Sequence, residues 1–198
     1  MKSLSLARPL VIMMVGTPGA GKSFFARQFS DLFETPLVSF DEIRHILFNQ
    51  PQFTRDEETL IALVMRSQMN QLFKTGKTFI IDGGLNTRMA RMAIERLARN
   101  HDYGTISIWV QTDEDTAAYR STRRSAKRPG DNLNVSMPES VFTGQVKRIN
   151  PPEGKESHVV ISGKHTFATQ AKVVLRRIIV PREPAPIQSQ PPRNASRS

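Results

Sequence analysis

An eight-residue loop motif near the start of the chain constrains the fold more than any other feature. Residues 16–23 match the pattern G-x-x-x-x-G-K-[ST] at every fixed position. An apolar run, Leu10–Val15, precedes the loop, and apolar residues at helical spacing follow it. Glycines in such a loop let backbone N–H groups wrap around phosphate oxygens at the positive end of a helix. The sequence therefore predicts a phosphate-binding loop between a buried strand and a helix.

The chemistry of this loop predicts that the chain binds ATP together with Mg²⁺. We expect Lys22 to reach the β- and γ-phosphates and the Ser23 hydroxyl to hold the metal ion. The residues assigned to the nucleotide are Gly16, Thr17, Pro18, Gly19, Ala20, Gly21, Lys22 and Ser23. The motif says nothing about the group that receives the phosphoryl.

Short apolar runs alternate with helical patterns along the rest of the chain, which predicts parallel βαβ units and a doubly wound sheet. The expected strands cover residues 10–15, 37–40, 78–81, 105–110 and 158–162. The expected helices cover residues 23–33, 41–48, 56–75, 88–100, 114–127, 138–149 and 169–179. In the longest helix, we expect Leu60, Leu63, Val64 and Leu72 to form the apolar face.

The length of 198 residues suits one α/β domain, which we place at residues 1–180. Residues 181–198 are rich in Pro, Ser, Gln and Arg and carry little to bury, so a disordered basic tail is expected there. The chain has no cysteine, which excludes disulfides and a cysteine nucleophile and fits a reducing cytoplasm. No apolar run is long enough to span a bilayer, and the first residues do not resemble a secretory signal.

The net charge of +10 indicates a surface that attracts phosphate-rich partners. Nucleotides, nucleic acid and anionic lipid all fit this charge, and so does an ordinary basic surface with no such partner. Charge alone does not choose among these alternatives.

Three side chains at the predicted carboxyl edge of the sheet are candidates for the chemistry. Asp41 and Arg44 lie three residues apart, on one face of a helical turn. Asp41 could accept a hydroxyl proton while Arg44 holds an anionic group, or the pair could be a helix cap and a solvated arginine. Asp82 ends the third predicted strand, where it could hold Mg²⁺, position a substrate or form a turn.

Residues 120–128 contain five basic side chains. On a continuous helix, Arg120 and Arg124 would share a face with Lys127. Arginines on a mobile element can close over phosphates and stabilise the charge that develops during transfer. A solvated basic face is the alternative interpretation.

Taken together, these features resemble a family of P-loop kinases that includes polynucleotide 5′-kinase, chloramphenicol phosphotransferase and zeta toxin, often described as AAA-type ATP-binding kinases. The resemblance covers residues 10–179 and rests on the 16–23 loop, the Asp41-x-x-Arg44 pair, Asp82 and the Arg120-x-x-x-Arg124 pair. One departure follows the third strand, where the family has Asp-x-Thr-Asn and this chain has its asparagine, Asn86, one residue later.

The resemblance implies a three-layer P-loop NTPase sandwich with five parallel strands and a helical lid. It implies that Asp41 is the general base, that Arg44 holds a polar group of the acceptor, and that Arg120 and Arg124 are lid arginines on the ATP phosphates. The resulting hypothesis is an ATP- and Mg²⁺-dependent kinase of a hydroxyl group. The first expectation for the acceptor is a nucleic acid or nucleotide 5′-hydroxyl. A metabolite, an antibiotic or a sugar nucleotide is an alternative, and an ATP-binding switch or ATPase is another.

Overall fold

The computed structural model describes residues 8–123, 136–154 and 156–179. The strands in this part of the chain are β1 Leu10–Val15, β2 Leu37–Ser39, β3 Phe79–Asp82, β4 Gly104–Gln111 and β5 His158–Ser162. The helices are α1 Lys22–Phe33, α2 Phe40–Leu47, α3 Arg55–Phe73, α4 Arg88–Arg99, α5 Glu114–Thr122, α6 Glu139–Lys147 and α7 Phe167–Ile178. The expected tail at 181–198 lies outside the described residues.

The five strands form one parallel sheet in the order β2-β3-β1-β4-β5. β1 occupies the centre, with β3 on one side and β4 on the other. In an open parallel sheet, ligands bind outside the carboxyl ends of the strands where the strand order reverses. That reversal lies at β1, which leads directly into the 16–23 loop. The α/β P-loop fold predicted from the sequence is confirmed.

Helices cover both faces of the sheet, which gives the predicted three layers. Side chains of β1 alternate between the faces, because successive residues of a strand point in opposite directions. Ile12 and Met14 face α1 and α7, whereas Val11 and Met13 face α2, α3 and α4. Every side chain on β1 from residue 11 onward is buried, as the apolar run predicts.

The buried face of α3 differs from the face expected from the sequence. It consists of Ile61, Met65, Met69 and Phe73, spaced four residues apart. Leu60 and Leu63 are 49% and 59% exposed, while Val64 and Leu72 are partly buried beside the core. The buried face starts at Ile61 and not at Leu60, and one residue corresponds to a rotation of about 100° around the helix axis. Two flexible methionines, Met65 and Met69, help to fill this core, so the apolar face predicted from the leucines was wrong.

Helix α5 ends at Thr122, five residues before the expected end. The Ser121 hydroxyl donates to the carbonyls of Ala117 and Ala118, and the Thr122 hydroxyl donates to that of Ala118. Such bonds compete with the backbone ladder and weaken helix continuation. Arg124 lies outside the described residues, so a shared helix face for Arg120 and Arg124 stays a prediction.

None of the described helices combines the length and apolar character needed to span a bilayer.

Candidate active site

The 16–23 loop has a backbone that requires its glycines. Gly16 and Gly19 have φ values of 143° and 79°, which residues with a side chain rarely adopt. A Cβ at Gly16 would collide with the carbonyl oxygen of Val110, and one at Gly19 would collide with that of Ala117. The loop is therefore packed against the end of β4 and against α5, and the local geometry matches what the motif predicts.

Lys22 is the first residue of α1 and lies back over the loop. Its Nζ donates hydrogen bonds to the carbonyl oxygens of Gly16 and Thr17, each at 2.8 Å. At the other end of the loop, the carbonyl of Ala20 accepts a hydrogen bond from Thr112 Oγ1 at 3.1 Å. The ammonium group is thus held at the loop that would receive the phosphates.

Asp82 ends β3 beside the loop and is only 3% exposed. The Ser23 hydroxyl donates to its carboxylate, and Oδ1 has no hydrogen-bond partner among the described atoms. Burial raises the pKa of Asp82, against the opposing effects of the Lys22 ammonium and the Ser23 hydroxyl. A buried carboxylate oxygen without a partner next to a hydroxyl suits a hard cation such as Mg²⁺.

The described residues contain no cluster of three or more His, Cys, Asp or Glu that could hold a metal ion. In phosphoryl-transfer sites, Mg²⁺ is usually held by one or two carboxylates together with substrate phosphates and water. The Ser23 and Asp82 pair fits such a site, and the burial of Asp82 favours this role over that of a turn former.

Asp41 is the second residue of α2 and is exposed to the cleft. It does not cap the helix, because Ser39 is the N-cap and its hydroxyl accepts from the Glu42 N–H at 3.3 Å. The capping interpretation of Asp41 is therefore wrong. Because the Asp41 carboxylate does not cap the helix, it is available to accept a proton from a bound hydroxyl.

Arg44 is 4% exposed and is not the solvated side chain of the alternative interpretation. Its guanidinium lies over the rings of Phe40 and Phe53, 5.1 and 4.5 Å from their centroids. Nε and Nη1 are buried and have no hydrogen-bond partner among the described atoms. A buried charge normally has a hydrogen-bonded partner, so this arginine is arranged to receive one.

Phe53 has a left-handed backbone, with φ of 57°, although it is not a glycine. The buried carboxylate of Glu57 holds this turn by accepting the N–H groups of Gln52 and Phe53, each at 2.8 Å. Thr54 caps α3 immediately afterwards. The strained turn places the Phe53 ring over Arg44, and strain of this kind persists only where its surroundings determine it.

One cavity of about 420 Å³ brings the predicted side chains together. Lys22, Ser23, Asp41, Arg44 and Asp82 all line it. Lining residues to which the sequence analysis assigned no role include His45, Glu58, Asn86, Gln145 and Arg148. The last two belong to α6 and its C-cap, which lie far along the chain from the loop, so no local pattern marks them.

Arg120 does not line this cavity. Its Nη1 donates to the carbonyl of Gly163 at 3.3 Å. A Cβ at Gly163 would collide with the carbonyl of Ala20, so Arg120 lies against a segment that flanks the phosphate loop. Arg120 therefore lies beside the phosphate loop and contacts the connection between β5 and α7.

Asn86 is the main residue that sequence reasoning undervalued. Its Oδ1 accepts the N–H of Gly16 at 3.1 Å, which joins the β3–α4 connection to the phosphate loop. The sequence showed Asn86 only as a shift relative to a family pattern. A contact across 70 residues leaves no local signal.

The sequence profile of the AAA domain family matches residues 11–152, which is most of the chain. The chain belongs to this family. Its relatives include a shikimate kinase of Novosphingobium aromaticivorans, which is 26% identical over 187 residues covering 87% of this chain and 88% of the relative. The match therefore runs nearly end to end in both proteins.

Solved structures share the fold at low identity. A gluconokinase from Sinorhizobium meliloti 1021 superposes with a TM-score of 0.59 at 17% identity, covering 89% of this chain and 93% of that one. A chain of the Pnkp1/Rnl/Hen1 RNA repair complex gives a TM-score of 0.59 at 20% identity, covering 73% of this chain and 45% of that one. The protein is a P-loop kinase, an ATP-dependent phosphotransferase, as predicted from the sequence.

Proposed function

We propose that this kinase transfers the γ-phosphoryl group of ATP to a hydroxyl of a small molecule that also carries an anionic group. The observation that carries the proposal is the buried guanidinium of Arg44, whose Nε and Nη1 have no hydrogen-bond partner among the described atoms. It lines the same cavity as Lys22 and Asp41. The acceptor would therefore be bound by its charge at one end and presented by its hydroxyl at the other.

The environment of Arg44 favours a planar or tetrahedral anion. Arginine presents N–H donors in a fixed fork that matches carboxylate and phosphate groups, and its face stacks on aromatic rings. Phe40 and Phe53 flank the guanidinium, so the plane of the fork is held before any ligand arrives. An incoming anion would satisfy donors that are already desolvated.

The size of the cavity favours a small acceptor. Its volume of about 420 Å³ includes the space beside the phosphate loop as well as the space beside Arg44. Ligand pockets for small molecules span about 300–1,000 Å³. The shikimate kinase relative, which covers this chain almost completely, supports a small acid of this kind.

The proton of the acceptor hydroxyl would pass to the Asp41 carboxylate. As the acceptor oxygen bonds to the γ-phosphorus, the bond from that phosphorus to the β–γ bridging oxygen breaks and ADP leaves. Lys22 would exchange its bonds to the Gly16 and Thr17 carbonyls for phosphate oxygens and stabilise the charge that develops. The loop amides would bind the remaining oxygens.

Ser23 and Asp82 would hold Mg²⁺ at the phosphates. The metal ion neutralises phosphate charge in reactions of this type. Arg120, which donates to the Gly163 carbonyl beside the loop, would support the nucleotide side rather than the acceptor side. A role for Arg124 on the phosphates stays a prediction.

A nucleic acid 5′-hydroxyl is the second candidate acceptor. The net charge of +10 favours a polyanion, and a chain of an RNA repair complex shares the fold. In that case Arg44 would hold a backbone phosphate next to the terminal hydroxyl. The enclosed setting of Arg44 makes this the weaker of the two candidates.

The experiment follows label from γ-labelled ATP into four parallel samples. They contain a set of small hydroxy acids and sugar phosphates, a set of neutral polyols, a 5′-hydroxyl oligonucleotide, or no acceptor. The proposal expects label in one of the anionic small molecules. Label in the oligonucleotide would establish the second candidate, and label only in neutral polyols would remove the role of Arg44.

A further inference from the structure

The connection between β3 and α4 contacts both halves of the site. We call residues 83–86 the bridging loop. At one end, Gly83 packs so closely on the first residue of α2 that a Cβ would lie 2.5 Å from the Cβ of Phe40. At the other end, Asn86 binds the phosphate loop. Phe40 in turn lies under Arg44, so one short segment connects the anion site to the nucleotide site.

The contact of Asn86 falls on the first residue of the phosphate loop. Gly16 lies between the carbonyl of Val110, which leaves no room for a Cβ, and the side chain of Asn86. The Gly16 carbonyl meanwhile accepts from Lys22. The position of this glycine therefore affects where the lysine and the start of the loop lie.

The backbone of Asn86 is bound by an arginine that belongs to a buried ion pair. Arg91 is completely buried, and its Nη1 donates to the backbone carbonyls of Leu85 and Asn86 at 3.2 and 3.4 Å. Its Nη2 also donates to the carbonyl of Pro151 at 3.4 Å. One guanidinium thus joins the bridging loop to the connection between α6 and β5.

Glu156 balances the charge of Arg91. Two bonds join them, from Nε to Oε2 at 2.6 Å and from Nη2 to Oε1 at 3.1 Å. Hydrogen bonds from the Arg91 guanidinium hold the pKa of Glu156 below its ordinary value. The same region adds a bond from the Asn150 N–H to the Asn86 carbonyl at 2.9 Å.

We propose that Asn86 is a positioning residue for the nucleotide loop and that the Arg91–Glu156 pair acts on nucleotide binding through it. The proposal rests on the assignment of residues 16–23 to the nucleotide and does not depend on the acceptor. The pair fixes the backbone of the bridging loop, Asn86 fixes the first peptide of the phosphate loop, and the loop then presents its amides to phosphate. A purely structural ion pair would stabilise the fold without this connection.

The test measures ADP binding by titration calorimetry, which needs no knowledge of the acceptor. Asn86→Ala should weaken ADP binding about tenfold, because the Gly16 N–H loses its partner. Glu156→Gln should weaken ADP binding about threefold, since the amide can accept only one of the two hydrogen bonds that Arg91 donates to the carboxylate. The double variant should bind no more weakly than Asn86→Ala alone, because Glu156 acts through Asn86.

Arg88→Ala is the matched control. Arg88 also approaches Glu156, at 3.8 Å, but its side chain is 69% exposed. Its removal leaves the Arg91 bonds in place, and ADP binding should not change. Circular dichroism checks that each variant is folded. Should Glu156→Gln fail to fold, Arg91→Lys replaces it in the single and double variants, with the same expectations.

Wild-type affinity in Asn86→Ala would overturn the proposal. So would a double variant whose loss equals the product of the two single losses, since that result makes the pair independent of Asn86. Lys22→Ala separates these outcomes from a wrong nucleotide assignment. If Lys22→Ala binds ADP normally, residues 16–23 are not the nucleotide loop and the proposed function itself fails.

Discussion

The proposed nucleotide half and the proposed acceptor half of this site are built in different ways. The nucleotide half consists mainly of residues 16–23, one continuous segment with fixed positions. The acceptor half combines the first turns of α2 with Phe53 and the bridging loop, which come from three separate parts of the chain. A continuous motif can be identified from sequence together with its chemistry. A site assembled from separate segments shows its chemistry only when burial and neighbours are known.

The largest effect should come from the nucleotide half. Lys22→Ala removes the ammonium that bonds to the loop carbonyls and would reach the phosphates, so turnover should fall by about 10³-fold or more. ADP binding should weaken as well, as measured by calorimetry. Lys77→Ala, which changes an exposed lysine before β3, is the control and should leave both quantities unchanged.

Arg44 separates the two halves. Arg44→Met keeps the packing between the two phenylalanine rings but removes the charge, so the acceptor KM should rise about 10- to 100-fold. Arg44→Lys should restore little, because an ammonium lacks the planar fork. ADP affinity should stay the same in both variants. Steady-state kinetics with the acceptor found by labelling measures the first effect, and calorimetry measures the second.

Arg55→Met is the control for Arg44, because Arg55 is exposed at the start of α3 and should be silent. An unchanged acceptor KM in Arg44→Met, with protein that is folded, would remove the anion site. A parallel loss of ADP affinity would instead show that the two halves are not separate.

The buried carboxylate of Asp82 should lower the stability of the fold, although it is the proposed ligand of Mg²⁺. Its native pKa is above 3.8, so the folded protein holds this proton more tightly than the unfolded chain does. Stability from this group is present at low pH and is lost as pH rises through the native pKa. Asp82→Asn should therefore raise Tm at pH 7, by about 2–4 °C for each kcal/mol recovered. Thermal melts across pH measure this, and a Tm that falls at pH 7 would contradict it.

The same Asp82→Asn variant should lose most of its Mg²⁺-dependent turnover, since a neutral amide is a poorer magnesium ligand than a carboxylate. Turnover measured against Mg²⁺ concentration checks this. The combination of higher stability and lower activity is what a buried, functional carboxylate predicts.

The smallest effect should come from the end of the chain. We propose that residues 1–180 form the catalytic domain and that residues 181–198 are dispensable for it, because the latter are polar and proline-rich. Truncation after residue 180 should leave Tm, ADP affinity and turnover unchanged. A truncated protein that is insoluble or melts earlier would show that the tail contributes to the fold.

The sheet could be predicted because central parallel strands are continuous apolar runs. β1 and β5 have the bounds that the sequence indicated, whereas the strand order is known only from the structure. Helix faces were harder. In α3, Leu60 and Leu63 of the predicted face are exposed, whereas Met65 and Met69 lie in the core.

The site residues could be named, but their surroundings could not. The spacing of Asp41 and Arg44 placed them on one helix, yet only the fold shows that Ser39 is the cap and that Nε and Nη1 of Arg44 are buried with no hydrogen-bond partner in the described part of the chain. The positive φ of Phe53 and the contact of Asn86 with Gly16 depend on distant residues. Long-range packing of this kind has no signature in a single sequence.

Asp41→Asn tests most directly whether the acceptor half performs the chemistry. The measurement is consumption of γ-labelled ATP with and without the identified acceptor, together with ADP affinity and Tm. The amide cannot take the hydroxyl proton, so acceptor-dependent transfer should fall by about 10²- to 10⁴-fold. ADP affinity and Tm should hold, because the proposed phosphate ligand is Lys22 and the N-cap of α2 is Ser39. Undiminished transfer in a folded Asp41→Asn variant would contradict the account and leave the kinase without its proposed base.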